Sequence, residues 1–167
     1  MRLAGTGLFR ARWSDDIHNE WICNVLRDRQ DIPIDRLERV RHLMDEAVPD
    51  CLVKGYERFI PVLELPDPGD RHVLAAAICC QAGVIVTFNL DDFPKEILEP
   101  YGIEAQHPDE FILHLMDLDS SAVCNAASTQ RRSLKNPPKS PDEFLDILKR
   151  QELPGTVSRL EKMINFL

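Results

Sequence analysis

A helix followed at once by a buried strand, in the middle of the chain, most constrains the fold. Pro66-Asp67-Pro68-Gly69-Asp70 reads as a turn that feeds directly into a helix over residues 71–81. From Val73 to Cys80 that segment is apolar nearly all round, the pattern of a helix enclosed by other elements. Gly83 is expected to end it. Val84-Ile85-Val86-Thr87-Phe88 follows, a run rich in β-branched residues and apolar on both faces, which belongs inside a parallel sheet covered by helices. Helix, glycine and buried strand in that order form half of a crossover unit, so the fold class is α/β.

The flanking segments give weaker signals. Phe9-Arg10-Ala11-Arg12-Trp13 alternates as a short half-buried strand would. Ser14 is an N-cap for a helix with Asp15 and Asp16 in its first turn and Ile17, Trp21 and Val25 at helical spacing. A second helix is expected from about Pro33, with Leu37, Val40, Met44 and Ala47 on one face, stopped by Pro49. Phe59-Ile60-Pro61-Val62-Leu63 reads as a strand that Pro61 pushes to an edge. Residues 90–98 hold a short helix and residues 103–106 an edge strand. Pro108-Asp109-Glu110 then opens a helix through Met116, with proline and acids in its first turn. Beyond Asp117 the chain turns polar and helical, so residues 1–118 are expected as one domain and 119–167 as a helical extension. Ser140-Pro141-Asp142-Glu143 is a capping box for a helix carrying Phe144, Ile147 and Leu148. Pro154-Gly155 breaks that helix, and Val157, Leu160, Ile164 and Leu167 form a last amphipathic one.

Composition excludes several classes. The 44% hydrophobic and 29% charged content is that of a globular chain, and no apolar run approaches the ~20 residues of a membrane span. The start lacks the apolar stretch of a signal peptide, so a cytoplasmic protein is expected. Five cysteines, an odd number without paired spacing, read as reduced apolar residues and give no zinc pattern. A net charge of -8 argues against gripping nucleic acid by bulk electrostatics. It does not exclude a nuclease, because carboxylates that hold metal add to the acidic count. Arg10, Arg12, Arg131, Arg132, Lys135 and Lys139 are candidate phosphate contacts, although such runs are more often a solvated face.

Three carboxylates are candidates for chemistry. Asp92, with Asn89 three residues earlier, lies just past the buried strand, where functional groups gather in open α/β sheets. Asp70 stands at a helix start and Glu20 on an earlier helix. Carboxylates brought together from distant parts of a chain suit a hard ion such as magnesium or manganese. Each also has a plainer reading: Asp70 as a residue favouring the positive helix end, Asp92 as a loop or cap residue, Glu20 as a solvated glutamate.

Asp67-Pro68-Gly69-Asp70-Arg71-His72-Val73-Leu74, followed after a gap by Val84-Ile85-Val86-Thr87-Phe88-Asn89-Leu90-Asp91-Asp92-Phe93, resembles the signature half of a PIN domain. It is most similar to the VapC-type ribonuclease toxins of toxin–antitoxin pairs. Trp13-Ser14-Asp15-Asp16-Ile17-His18-Asn19-Glu20-Trp21 is similar to the second motif of the same family. The likeness covers about residues 3–118 and implies a PIN-like parallel sheet flanked by helices. It implies a catalytic, metal-binding set of Glu20, Asp70 and Asp92, assisted by Asn89 and by Thr87 as the strand-end hydroxyl. It also implies Mg2+ or Mn2+ as cofactor, hydrolysis of RNA without a covalent intermediate, a cognate antitoxin and a homodimer.

One departure matters. The family opens with a buried central strand bearing its first catalytic aspartate, and no segment here matches it. Met1-Arg2-Leu3-Ala4-Gly5 is similar instead to the end of the helix after that strand. The expectation is an N-terminally truncated PIN-like chain whose exposed sheet flank a partner or second copy fills. The rival expectation is a catalytically inactive PIN-like binding or interaction module.

Overall fold

The computed structural model describes residues 2–167. They form two compact units, Arg10–Ala105 and the residues up to Phe9 with Gln106–Leu167.

The first unit begins with a single parallel bridge, Trp13 to Leu52, in place of the strand expected over residues 9–13. The Trp13 N–H donates to the Cys51 carbonyl at 3.0 Å and the Val53 N–H to the Trp13 carbonyl at 2.8 Å. Helix α1 (Asp15–Asp28) starts as the sequence dictates, with the Ser14 hydroxyl accepting from the Ile17 N–H. Its buried face is carried by His18 and Ile22. Helix α2 (Ile34–Ala47) buries Leu37, whereas Val40 is exposed, so the expected apolar face is rotated. The cause is Asp45. Its Oδ1 accepts from Trp13 Nε1 at 2.8 Å and pairs with His18 Nε2 at 2.9 Å, turning a polar position inward. Trp21 Nε1 donates to His18 Nδ1 at 2.9 Å, so both nitrogens of this fully buried ring are satisfied.

The expected strand over residues 59–63 is a 3-10 helix, Glu57–Val62. Pro61 has no N–H to give a ladder, while the Phe59 N–H closes a turn onto the Tyr56 carbonyl at 2.9 Å. Helix α3 (Arg71–Cys79) is central to the core, with Leu74, Ala75, Ala76 and Ala77 buried. Small alanines let neighbouring backbones approach, and Leu74 alone is worth about 1.5–3 kcal/mol of burial. Gly83 does not end the helix. Gln81 does so at φ +54°, with the Ala82 N–H returning to the Ala77 carbonyl at 2.9 Å.

Strand β1 (Val84–Val86) pairs in parallel with β2 (Glu104–Gln106) in a two-stranded sheet. The burial expected on both faces of the 84–88 run is not realised: Ile85 is buried, but Val86 is 45% and Phe88 60% exposed. With one strand neighbour, β1 has too few elements around it to enclose both faces. Between the strands lie a 3-10 turn (Leu90–Asp92), helix α4 (Lys95–Leu98) and a second 3-10 turn closed by left-handed Gly102. Phe93, Leu98 and Ile103 return to the core around Leu74.

The second unit is helical. Helix α5 (Pro108–Ser133) breaks at Asp119, whose φ of -153° is not helical and whose Oδ1 accepts from the Ala122 N–H at 2.8 Å. The change of character beyond Asp117 thus marks a re-capped helix. Helix α6 (Pro141–Arg150) has the expected capping box between Ser140 and Glu143. Helix α7 (Pro154–Glu161) gives way to a short 3-10 turn, Ile164–Phe166. The core of this unit joins Leu115, Val123, Leu145, Val157 and Leu160. Arg131 donates to the carbonyls of Lys139 and Leu167 at 2.7 and 2.9 Å, so its guanidinium ties chain segments together.

Candidate metal centre

Three separate segments of the first unit deliver the candidate acids. Glu20 rides on α1, one turn past its capped start. Asp70 ends the 3-10 turn Pro68–Asp70 and takes the N-cap position of α3, yet its carboxylate makes no capping bond. The cap of that short turn is Asp67, whose Oδ1 accepts from the Gly69 N–H at 2.7 Å. Asp92 closes the turn after β1, and the Asn89 side-chain amide donates to it. Thr87 Oγ1 accepts from the Asn89 N–H at 3.1 Å, so the strand-end hydroxyl braces the backbone that carries Asn89.

Electrostatics show that these acids sense one another. Desolvation by burial, followed by the charges of Asp92, Glu20 and Asp67, pushes the Asp70 carboxyl up from 3.8 to about 6. A side-chain hydrogen bond with Asp92 adds to the preference for its protonated form. The plainer reading of Asp70 as a cap for its own helix loses support, since its carboxylate turns to the other acids instead.

His72 is the residue that sequence reasoning missed. Read as a helix-surface residue, it has a side chain only 14% exposed, and its Nε2 lies 3.3 Å from Glu20 Oε2. Its Nδ1 and the neighbouring Arg71 Nε are buried without hydrogen-bonding partners. The one sequence signal was proximity, because His72 follows Asp70 by two residues in the first turn of α3. Asp67 was legible only as turn chemistry, and its charge on Asp70 depends on how the turn folds back.

A divalent ion fits this donor set in chemistry. The candidates are carboxylate oxygens supported by an amide, and their mutual charge is what a hard cation relieves. As the side chains lie, no three His, Cys, Asp or Glu groups among the described residues stand close enough together to hold an ion. Binding therefore requires the side chains to turn toward a common point. Among the described residues, no helix is long and apolar enough to cross a membrane.

Comparison with known proteins adds two findings. Residues 108–162 match the model of the VapC50 C-terminal domain. The chain is 45% identical over 82 residues to a protein of Mycobacterium tuberculosis (strain ATCC 25618 / H37Rv) named "Putative ribonuclease VapC50", a match covering 49% of this chain and 48% of that protein. The chain thus spans about half the length of the curated relative it matches. No solved structure matches it significantly. The VapC-type resemblance of this chain is borne out by both the family model and the relative.

Proposed function

We propose that the chain is the nuclease part of a metal-dependent, PIN-type endoribonuclease acting in the cytoplasm as the toxin of a toxin–antitoxin pair. The observation that carries this reading is the mutual effect of Glu20, Asp70 and Asp92, seen in the raised proton affinity of Asp70. Likeness to a relative whose name denotes a ribonuclease supports RNA as the substrate. Glu20, Asp70 and Asp92 are the residues that would hold Mg2+ or Mn2+. Asn89 fixes the Asp92 carboxylate by its amide bond, and Thr87 fixes Asn89 through the backbone. The ion, when bound, neutralises charge on the phosphodiester and lowers the barrier to its hydrolysis by water. A cognate antitoxin that covers the acidic cluster and a homodimeric assembly complete the proposal.

A second reading, a catalytically inactive PIN-like interaction module, is favoured by the lack of three ready-placed ligand side chains among the described residues. One experiment separates the two. RNA is incubated with the purified chain, with Mg2+ or with chelator, beside Asp70→Asn. Cleavage that needs Mg2+ and is lost in Asp70→Asn supports the enzyme, and no cleavage under any condition supports the module.

A further inference from the structure

Glu20 already has a partner on a neighbouring helix. Its Oε2 sits 3.3 Å from Nε2 of His72, which projects from the first turn of α3 two residues beyond Asp70. The two side chains are unequal. The His72 ring is 14% exposed and held by its surroundings, whereas the Glu20 side chain is 47% exposed and free to swing about its long stem. With Nδ1 buried and unpartnered, the Nε2–H donated to Glu20 is the one polar contact this ring makes among the described residues. A carboxylate oxygen that accepts from an imidazole N–H must give up or share that lone pair to bind a cation. Resting on the cation-binding reading above, we propose that His72 is a latch on Glu20, its Nε2–H competing with a divalent cation for that carboxylate. His72 is thus a positioning residue: it sets where Glu20 points and how readily the cluster accepts an ion.

The test is Mn2+ titration of the full chain, followed by calorimetry and by the electron paramagnetic resonance signal of free Mn2+. His72→Phe fills the ring's volume without a donor and should bind Mn2+ roughly three- to tenfold more tightly than wild type, the range expected for releasing one hydrogen bond to a charged group. His72→Gln, whose amide reaches the same point, should restore wild-type affinity. In a Glu20→Gln background, His72→Phe should change nothing. A purely structural role would weaken binding in His72→Phe, the opposite sign. If that variant fails to fold, His72→Leu carries the same expectation. Equal or weaker binding in the donorless variant, with Asp70→Asn still abolishing binding, overturns the latch alone. Absence of Mn2+ binding by wild type, or binding indifferent to Asp70→Asn, overturns the cation-binding reading and the latch with it.

Discussion

Asp70→Asn should make the protein more stable while removing its proposed function. The Asp70 carboxyl is pushed from 3.8 to about 6, first by desolvation and then by Asp92, Glu20 and Asp67. A shift of that size has a ceiling of about 3 kcal/mol, the cost of keeping the group ionised in the folded protein at neutral pH. Asp70 is partly exposed, and solvent and salt screen its neighbours, which reduces the expected effect to on the order of 1 kcal/mol. The direction with pH follows from the proton count. The folded-state value lies above the unfolded one, so the native protein holds the extra proton between pH 3.8 and about 6 and loses stability as pH rises through that window. Asparagine has no proton to lose. The variant should therefore match wild type near pH 4, gain progressively, and hold its full advantage above pH 6, a melting-temperature gain of roughly 2–4 °C. Thermal and urea unfolding from pH 4 to 8, with chelator present, would measure it. A destabilised variant, or an advantage that does not grow with pH, would refute the claim that these acids strain one another.

Two further predictions concern the helical unit. Asp109 on α5 accepts from the Gly155 and Thr156 N–H groups at 2.8 and 2.7 Å, at the start of α7. Burial pushes its carboxyl up, but the bonds from Thr156 and Gly155 outweigh this and hold it below the ordinary range. Asp109→Ala should cost about 2–3 kcal/mol at neutral pH, and the difference should shrink as acid protonates the wild-type carboxyl. Equal urea midpoints at pH 7 would contradict this. Ser140→Ala removes the acceptor for the Glu143 N–H and with it the capping box of α6, a loss of about 1 kcal/mol by the same assay.

The elements legible in the sequence were those whose signals are local. Ser14, the Ser140/Glu143 box and Pro108 set helix starts through bonds within one turn, and the structure uses all three. The all-round apolar pattern of α3 correctly marked the core helix. What failed depended on tertiary contacts. Val40 was assigned to the buried face of α2 because periodicity cannot foresee that Asp45 will be drawn in by Trp13 and His18. The 59–63 run looked extended because its residues favour strands, whereas Pro61 and the Tyr56 carbonyl made a 3-10 helix the satisfied alternative. At the site, Asp70 and Asp92 were visible because they punctuate a helix start and a strand end. His72 was not, since its role comes from a helix far away in sequence.

Diffraction from crystals soaked in Mn2+, with the anomalous signal locating the ion, tests the central claim most directly. The account predicts one or two Mn2+ peaks at roughly 2.0–2.3 Å from carboxylate oxygens of Asp70 and Asp92, with Glu20 turned from His72 toward the ion. Bound Mn2+ elsewhere, with Glu20 still on His72 and the three carboxylates sharing no ion, would contradict it.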